Sequence, residues 1–260
     1  METLKSERFV VIMVMLFMAL FPAFAVKGLE DNPLLGAGGL YIEEYFGKKQ
    51  EGGVEYKEMK IFNYEGLEMI QLRELADELD WTLIYEPAKR EIRVRKGPIS
   101  YSLSTNEDHF LPGGGDRVLL IKEGRTYLSL EGVRKLLEHL GEELVLTGLY
   151  TGQDLYKKGD NITAHLRLYN YTDEDIRLDF PSGQRYDLYL WQDQQEVWRW
   201  SEGKFFTMAL IFKEIKAGES LAYDLDLDIS LEPGEYILGG ELATIPERIK
   251  LEEVTLRIVE

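Results

Sequence analysis

The chain has 260 residues, which suits about two compact domains, and its 45% hydrophobic and 30% charged residues exclude both a disordered tail and a multi-span membrane protein. Its 30 Lys and Arg stand against 47 Asp and Glu, and a net charge of −17 repels phosphate backbones and disfavours nucleic-acid binding. Without Cys there are no disulfides, thiolate nucleophiles, Cys-ligated zinc or iron–sulfur clusters, and only His109, His139 and His165 remain for a His-based metal site.

Residues 9–21, FVVIMVMLFMALF, are uncharged, and Pro22 and Ala23-Phe24-Ala25 follow. The run is shorter than the roughly 20 residues of a membrane span, and Ala23 and Ala25 fit small-x-small cleavage. The expectation is a signal peptide over 1–25 and an exported protein, secreted or held at the cell envelope, with no membrane contact after cleavage. Glu2 and Glu7 balance Lys5 and Arg8 ahead of the run, which keeps a retained anchor as the alternative. Residues 26–54, with GAGG at 36–39 and KKQEGG at 48–53, read as a linker.

Residues 59–146 contain a weak internal repeat. IQLRELADELDW at 70–81 and LSLEGVRKLLEHLG at 128–141 each place apolar residues on one helical face. In the first, Leu72, Leu75, Ala76 and Leu79 recur at i, i+3, i+4 and i+7. In the second, Leu130, Val133, Leu136, Leu137 and Leu140 share a face, and Gly141 marks a stop. Between the copies, 82–85, 91–95 and 99–103 read as short strands, with a turn at 87–89. This is an α+β unit.

The run Ile70-Gln71-Leu72-Arg73-Glu74-Leu75-Ala76, Leu79-Asp80, Ile84-Tyr85-Glu86 and Ile92-Arg93-Val94 resembles the copper amine oxidase-like N-terminal domain over about 55–147. Gln71 stands where that family usually has Pro, and Asp80 where it has Gly. The resemblance implies a stalk-like accessory module for attachment or spacing at a cell-wall polymer. It implies no oxidase chemistry, because the chain has no room for the catalytic domain.

From 144 onward the period falls from 3.6 to 2. Strands are expected at 144–150, 162–169, 176–180, 186–191, 196–200, 206–212, 221–227, 236–242 and 254–259, separated by Gly-, Pro- and Asp-containing turns. Together they predict an all-β, immunoglobulin-like antiparallel sandwich over 148–260. Ile162, Ala164, Leu166 and Leu168 face one way and Thr163, His165 and Arg167 the other, which predicts a one-sided core. The switch of period near 144–151 predicts a boundary that few contacts cross.

The series Phe180-Pro181-Ser182-Gly183-Gln184-Arg185-Tyr186-Asp187, Val197-Trp198-Arg199-Trp200-Ser201, Ala217-Gly218-Glu219 and Pro233-Gly234-Glu235-Tyr236 resembles the BsuPI family of intracellular proteinase inhibitors over about 150–250. The resemblance implies an inhibitor fold and a protease partner. Export conflicts with the word intracellular in the family's name.

No catalytic constellation stands out. No Gly-x-Ser-x-Gly elbow occurs, and Gly113-Gly114-Gly115 lacks the Lys-Ser/Thr of a phosphate loop. Asp224, Asp226, Asp228 and Glu235 imitate a calcium-loop spacing, but Ile229 occupies the position that needs Gly, so the carboxylates read as a solvated face. No cofactor and no metal site are expected. A three-residue loop at 193–195 puts Trp198 and Trp200 in the core with Leu188 and Leu190 and leaves Tyr189, Trp191 and Arg199 outside; a four-residue loop makes one aromatic face of Tyr189, Trp191, Trp198 and Trp200. The first register has the ordinary amphipathic pattern.

The expected function is a non-enzymatic binding protein with an inhibitor-like module on a stalk-like domain. Two loops qualify for contact with a serine protease or another extracellular protein: 181–185, with Ser182, Gln184 and Arg185, and 201–205, with Lys204 and Phe205. Gly183 and Gly203 suit positive φ in those turns. Trp191 is a further candidate anchor. The alternative is an envelope adaptor without inhibitory activity, stacking Trp191 or Tyr189 on sugars.

Overall fold

The computed structural model describes residues 55–105 and 118–260. The expected signal peptide, the linker, His109 and the glycines at 113–115 lie outside the described residues. Among the residues described, no helix is long and apolar enough to cross a membrane.

A short strand β1 (Tyr56–Glu58) leads into a hairpin of β2 (Ile61–Tyr64) and β3 (Leu67–Gln71), and β3 runs directly into helix α1 (Leu72–Glu78). A meander of β4 (Thr82–Glu86), β5 (Glu91–Lys96) and β6 (Ile99–Ser104) follows. A second hairpin, β7 (Leu119–Lys122) and β8 (Arg125–Ser129), runs into α2 (Leu130–Leu140). The hairpins turn at Glu65-Gly66 and Glu123-Gly124, each with positive φ at both residues, as a tight two-residue turn requires. β3 and β8 pair antiparallel, giving one sheet in the order β2-β3-β8-β7. The repeat in the sequence is therefore a hairpin–helix unit.

Helix α1 buries Leu72, Leu75 and Ala76. It stops at Glu78, with Leu79, the last residue of the expected face, as its cap, because Asp80 takes a φ of 53° and the Trp81 N–H turns back to the Ala76 carbonyl at 2.7 Å. Trp81 thereby joins the core. Helix α2 starts at Ser129, whose Oγ accepts the Gly132 N–H at 3.2 Å. It ends at Gly141, left-handed at φ 67°, while the Glu142 N–H reaches the Leu137 carbonyl at 3.0 Å.

The remaining strands are β9 (Val145–Thr151), β10 (Leu155–Lys157), β11 (Thr163–Asn170), β12 (Ile176–Phe180), β13 (Tyr186–Gln192), β14 (Gln195–Arg199), β15 (Ile211–Ile215), β16 (Ser220–Asp226), β17 (Gly234–Leu242) and β18 (Ile249–Val259). They form sheets in the orders β1-β9-β11-β16 and β10-β18-β17-β13-β14, with β12 and β15 as a separate ladder. Leu149, Leu166 and Leu168 of one sheet and Leu188, Leu190, Leu238 and Leu256 of the other are buried. Leu149 and Leu188 both border Gly240, which places the sheets face to face. The sandwich is antiparallel except where β1 joins β9 and β10 joins β18, both in parallel. The expected strand at 206–212 begins only at Ile211: Met208 is 98% exposed, so the alternating apolar residues before Ile211 line no buried face.

The one-sided pattern holds along β11, where Ala164, Leu166 and Leu168 are buried and Thr163, His165 and Arg167 are half-buried, but the boundary expected near 144–151 falls on a strand buried on both faces. All seven residues of β9 are buried. Its Leu149 faces the sandwich, while Leu146 and Tyr150 belong to the core built on Ile61, Ile70, Leu75 and Leu137. Residues 55–260 accordingly make one compact unit. Gly148 is the contact point: a Cβ there would lie 2.4 Å from Ile61 Cδ1 and 3.0 Å from the Met59 carbonyl oxygen. Gly148→Ala is expected to destabilise by about 1–3 kcal/mol through overpacking. Urea unfolding checks this, and the double variant with Ile61→Ala should lose less than the sum of the single losses.

Candidate functional site

The two candidate loops meet at one end of the sandwich. The loop at 181–185 leaves β12 at the buried Phe180 and enters β13 at Tyr186. Ser182 Oγ accepts the Gln184 N–H at 3.2 Å, and Gln184 Nε2 donates to the Tyr186 carbonyl at 3.3 Å. The Arg185 guanidinium lies over the Phe180 ring, 5.1 Å from its centroid. These three side chains hold their own loop in shape.

The second loop leaves β14 at Arg199. The Glu202 N–H bonds the Arg199 carbonyl at 3.2 Å and the Lys204 N–H bonds the Ser201 carbonyl at 3.1 Å; between them Gly203 takes a φ of 71°. The chain then runs without regular structure to β15. Its anchor is the Gly183 N–H, which donates to the Thr207 carbonyl at 2.8 Å. A Cβ on Gly183 would sit 2.6 Å from Thr207 Oγ1. Gly183 therefore serves close approach of the two loops and not the positive φ expected of it.

A buried carboxylate fixes the root of this loop. Asp187 is 2% exposed. Its Oδ1 accepts the Leu188 and Ser201 N–H groups at 3.0 and 3.1 Å, and its Oδ2 accepts Ser201 Oγ at 2.7 Å and Arg199 Nη1 at 3.1 Å. Arg199 also grips Glu196 through two parallel bonds of 2.9 and 2.7 Å. Beside it, Tyr186 packs on Trp200 at 4.5 Å and on Tyr223 at 4.8 Å, and Trp200 packs on Phe206 at 5.8 Å. Lys204 folds back over Trp200, its Nζ 3.5 Å from the ring centroid, and burial lowers its pKa.

Two large apolar side chains stand out from this braced base. Phe205 is 99% exposed and Met208 is 98% exposed. They flank Phe206, which turns inward, and Thr207, which is pinned to Gly183. Of the sequence candidates, Ser182, Gln184, Arg185, Lys204 and Phe205 come together here, and only Phe205 projects freely. Trp191 lies near the other end of β13, half-buried and edge-on to Tyr189 at 6.2 Å. Met208 is hidden from sequence reasoning by the expected strand at 206–212.

The turn after β13 has two residues, Asp193 and Gln194, both with positive φ, and the pairing with β14 carries a bulge between Leu190 and Trp191. Leu190 still faces Trp198, and Tyr189 faces Arg199, as in the first register. Trp198 and Trp200 are half-buried and not core, because β14 is the edge of its sheet.

A second polar cluster lies on the outward face of β11. Glu68 accepts hydrogen bonds from Tyr150, Tyr169 and Arg167 Nε, the last at 2.8 Å. Arg167 Nη1 meets Asp224 at 2.7 Å, and so does His165 Nδ1. Asp226 accepts Thr163 Oγ1 at 2.6 Å. Asp224, Asp226 and Asp228 are exposed, as expected of a solvated face, and the first two also bond side chains of the neighbouring strand. His139 packs edge-on against Tyr101 at 4.7 Å. Among the described residues no group of three or more His, Asp or Glu side chains is placed to hold a metal ion.

Residues 149–247 match the family model described as BsuPI, intracellular proteinase inhibitor. This supports a proteinase-inhibitor-like module in the sandwich and points to binding in place of catalysis. The description as intracellular overturns the expectation of an exported protein. The copper amine oxidase-like resemblance of 55–147 finds no support in the comparisons. No curated protein matches the chain. Among solved structures, it is similar to the C-terminal domain of wzt, with 11% identity over 44% of this chain and 71% of that one at a TM-score of 0.29. The sporulation control protein Spo0M from Bacillus subtilis shares 14% identity over 45% of this chain and 49% of its own, at a TM-score of 0.30. A CARDB domain from Pyrococcus furiosus, solved with di-metal ions, shares 8% identity over 45% of this chain and 89% of its own, at a TM-score of 0.27. The chain thus spans 71% of the first of these and about half of the second.

Proposed function

We propose that the sandwich is a proteinase inhibitor that offers residues 204–209 to the protease as an extended, substrate-like segment. The observation that carries this reading is the pair Phe205 and Met208, exposed at 99% and 98% on a stretch whose base is fixed by Thr207, Trp200 and Asp187. Among the described residues, 205–208 make one backbone–backbone hydrogen bond, from Gly183 to Thr207. The remaining main-chain groups are available to pair with the strand that borders a protease cleft. The two apolar side chains enter subsites three positions apart, and the fixed base lowers the ordering cost of binding. The partner is a protease with apolar subsites, and the chain itself performs no chemistry. Residues 55–147 act as an accessory module, of the copper amine oxidase-like kind, that braces the outward face of β9 and β11.

Titration of the full chain against serine proteases of apolar and of basic specificity tests this. Loss of activity near equimolar ratio with the apolar class, and none with the basic class, is expected. No loss at large molar excess, or rapid cleavage of the chain after Phe205 or Met208 with release of the fragments, rejects the reading.

A further inference from the structure

A second recessed site lies far along the chain from the loop just described, between the hairpin–helix sheet and the β4-β5-β6 meander. It encloses about 470 Å³, within the range of small-molecule pockets. Leu83 and Ile92 line one side and Ile121 the other, with Tyr85 at the rim, 58% exposed. Arg73 enters from α1 and Arg125 from β8. Among the described residues no carboxylate lines it.

Two arginines thus face an apolar cleft in a chain of net charge −17. Among the described arginines, Arg93 pairs with Glu86, Arg134 with Glu131, Arg167 with Glu68, Arg177 with Asp179, Arg199 with Glu196, Arg248 with Glu241 and Arg257 with Glu235, while Arg185 lies over Phe180 and Arg90 and Arg95 lie exposed. Arg73 and Arg125 have no ion-pair partner among the described residues. A guanidinium offers a planar fork of donors matched to carboxylate or sulfonate oxygens, and the aliphatic walls and Tyr85 suit an apolar body. We propose that this cleft binds a small amphipathic organic anion: its acid group between Arg73 and Arg125, its aromatic or alkyl body along Leu83, Ile92 and Ile121. The site stands apart from the inhibitory loop and does not depend on it.

The test uses the full chain with anilinonaphthalene sulfonate as the anionic probe and the uncharged N-phenylnaphthylamine as its neutral counterpart. Saturable binding of the sulfonate is expected, at least tenfold tighter than the neutral probe. Arg73→Gln with Arg125→Gln should weaken the sulfonate at least tenfold and leave the neutral probe unchanged, while Arg73→Lys with Arg125→Lys restores part of the affinity. Equal affinity for both probes, or less than a twofold change in the double glutamine variant, overturns the proposal. Amide-resolved NMR of the unmodified chain gives a reading that needs no variant: shifts centred on Arg73, Leu83, Ile121 and Arg125 support the site, and shifts centred elsewhere overturn it. A concentration-dependent dimer that the probe dissolves would put a second copy in the cleft and overturn it as well.

Discussion

Asp187→Ala is expected to cost about 3 kcal/mol of stability, because it leaves two backbone N–H groups without their acceptor and releases Arg199 and Ser201 together. The side chain is nearly fully buried, so water cannot replace it at the Ser201 N–H. The effect should not stop at stability. Ser201 begins the loop that carries Phe205 and Met208, and freeing its root restores the ordering cost that the fixed base removes. Inhibition should therefore weaken more than tenfold under conditions where the variant is still folded. Asp187→Asn keeps acceptors for the two N–H groups and should recover part of both losses. Guanidinium unfolding and an inhibition titration on the same preparations check this; equal inhibition by the wild type and a folded Asp187→Ala variant would separate the carboxylate from the loop.

Arg167→Met is the second large change, at about 2–3 kcal/mol. Breaking a buried pair by removing one partner costs about 3–5 kcal/mol, and here Glu68 is 23% exposed and Arg167 is 11% exposed, which lowers the figure. The cluster also sets the pH window. Burial pushes the Glu68 carboxyl up, but hydrogen bonds from Tyr150, Tyr169 and Arg167 outweigh it, and the pKa lies below the ordinary value of 4.5. A carboxyl depressed in the folded state stabilises above its unfolded pKa, and that contribution is lost as pH falls from about 4.3 through the folded value. The tyrosines act at the other end. Burial and the neighbouring Glu68 raise Tyr150 and Tyr169, so their contribution is full below about pH 10 and is lost as pH rises beyond it. Glu68→Gln should flatten the acid limb of the melting temperature against pH, and Tyr169→Phe the alkaline limb. An acid limb that keeps its slope in Glu68→Gln would assign it to other carboxylates.

Much of this architecture is legible in residue periodicity. Leu166 and Leu168 alternate with Arg167 and Tyr169 as a strand must, and the helical spacing read along α2 is matched by buried Val133, Leu136, Leu137 and Leu140. What periodicity cannot convey is what covers the polar side. Arg167 reads as facing away from the core, and its partner Glu68 comes from a hairpin 99 positions earlier, a contact that no local pattern encodes. The three-residue strands β1 and β10 are too short for a period to register. The turn after β13 is legible at 193–195, but its two-residue length is not, because residues with positive φ in such turns are usually Asn or Gly and here they are Asp193 and Gln194. In contrast, Glu65-Gly66 and Glu123-Gly124 stand at the same offset before Leu72 and Leu130, and that signal extends the repeat back through both hairpins.

The loop is legible in a different way. Tyr186, Asp187, Arg199, Trp200 and Ser201 stand out as a family-like series, and the structure shows them bracing the base of the loop. Phe205 is visible because it follows a Gly-containing turn. Met208 is not, because Phe206, Met208 and Leu210 alternate as a strand does, yet Phe206 turns inward on Trp200 while Met208 is 98% exposed. A strand reading needs a partner ladder, and the ladder with β12 begins only at Ile211.

The most direct measurement is the inhibition constant of the full chain against a serine protease of apolar specificity, for the wild type and for the double variant Phe205→Gly with Met208→Gly. Both side chains are almost wholly exposed, so the variant should keep the wild-type melting temperature. The expected result is inhibition near equimolar ratio by the wild type and a loss of at least a hundredfold in the double variant, since truncated anchor residues each cost about 2 kcal/mol or more at an interface. Equal inhibition by a folded double variant would contradict the account and place the contact surface elsewhere on the sandwich.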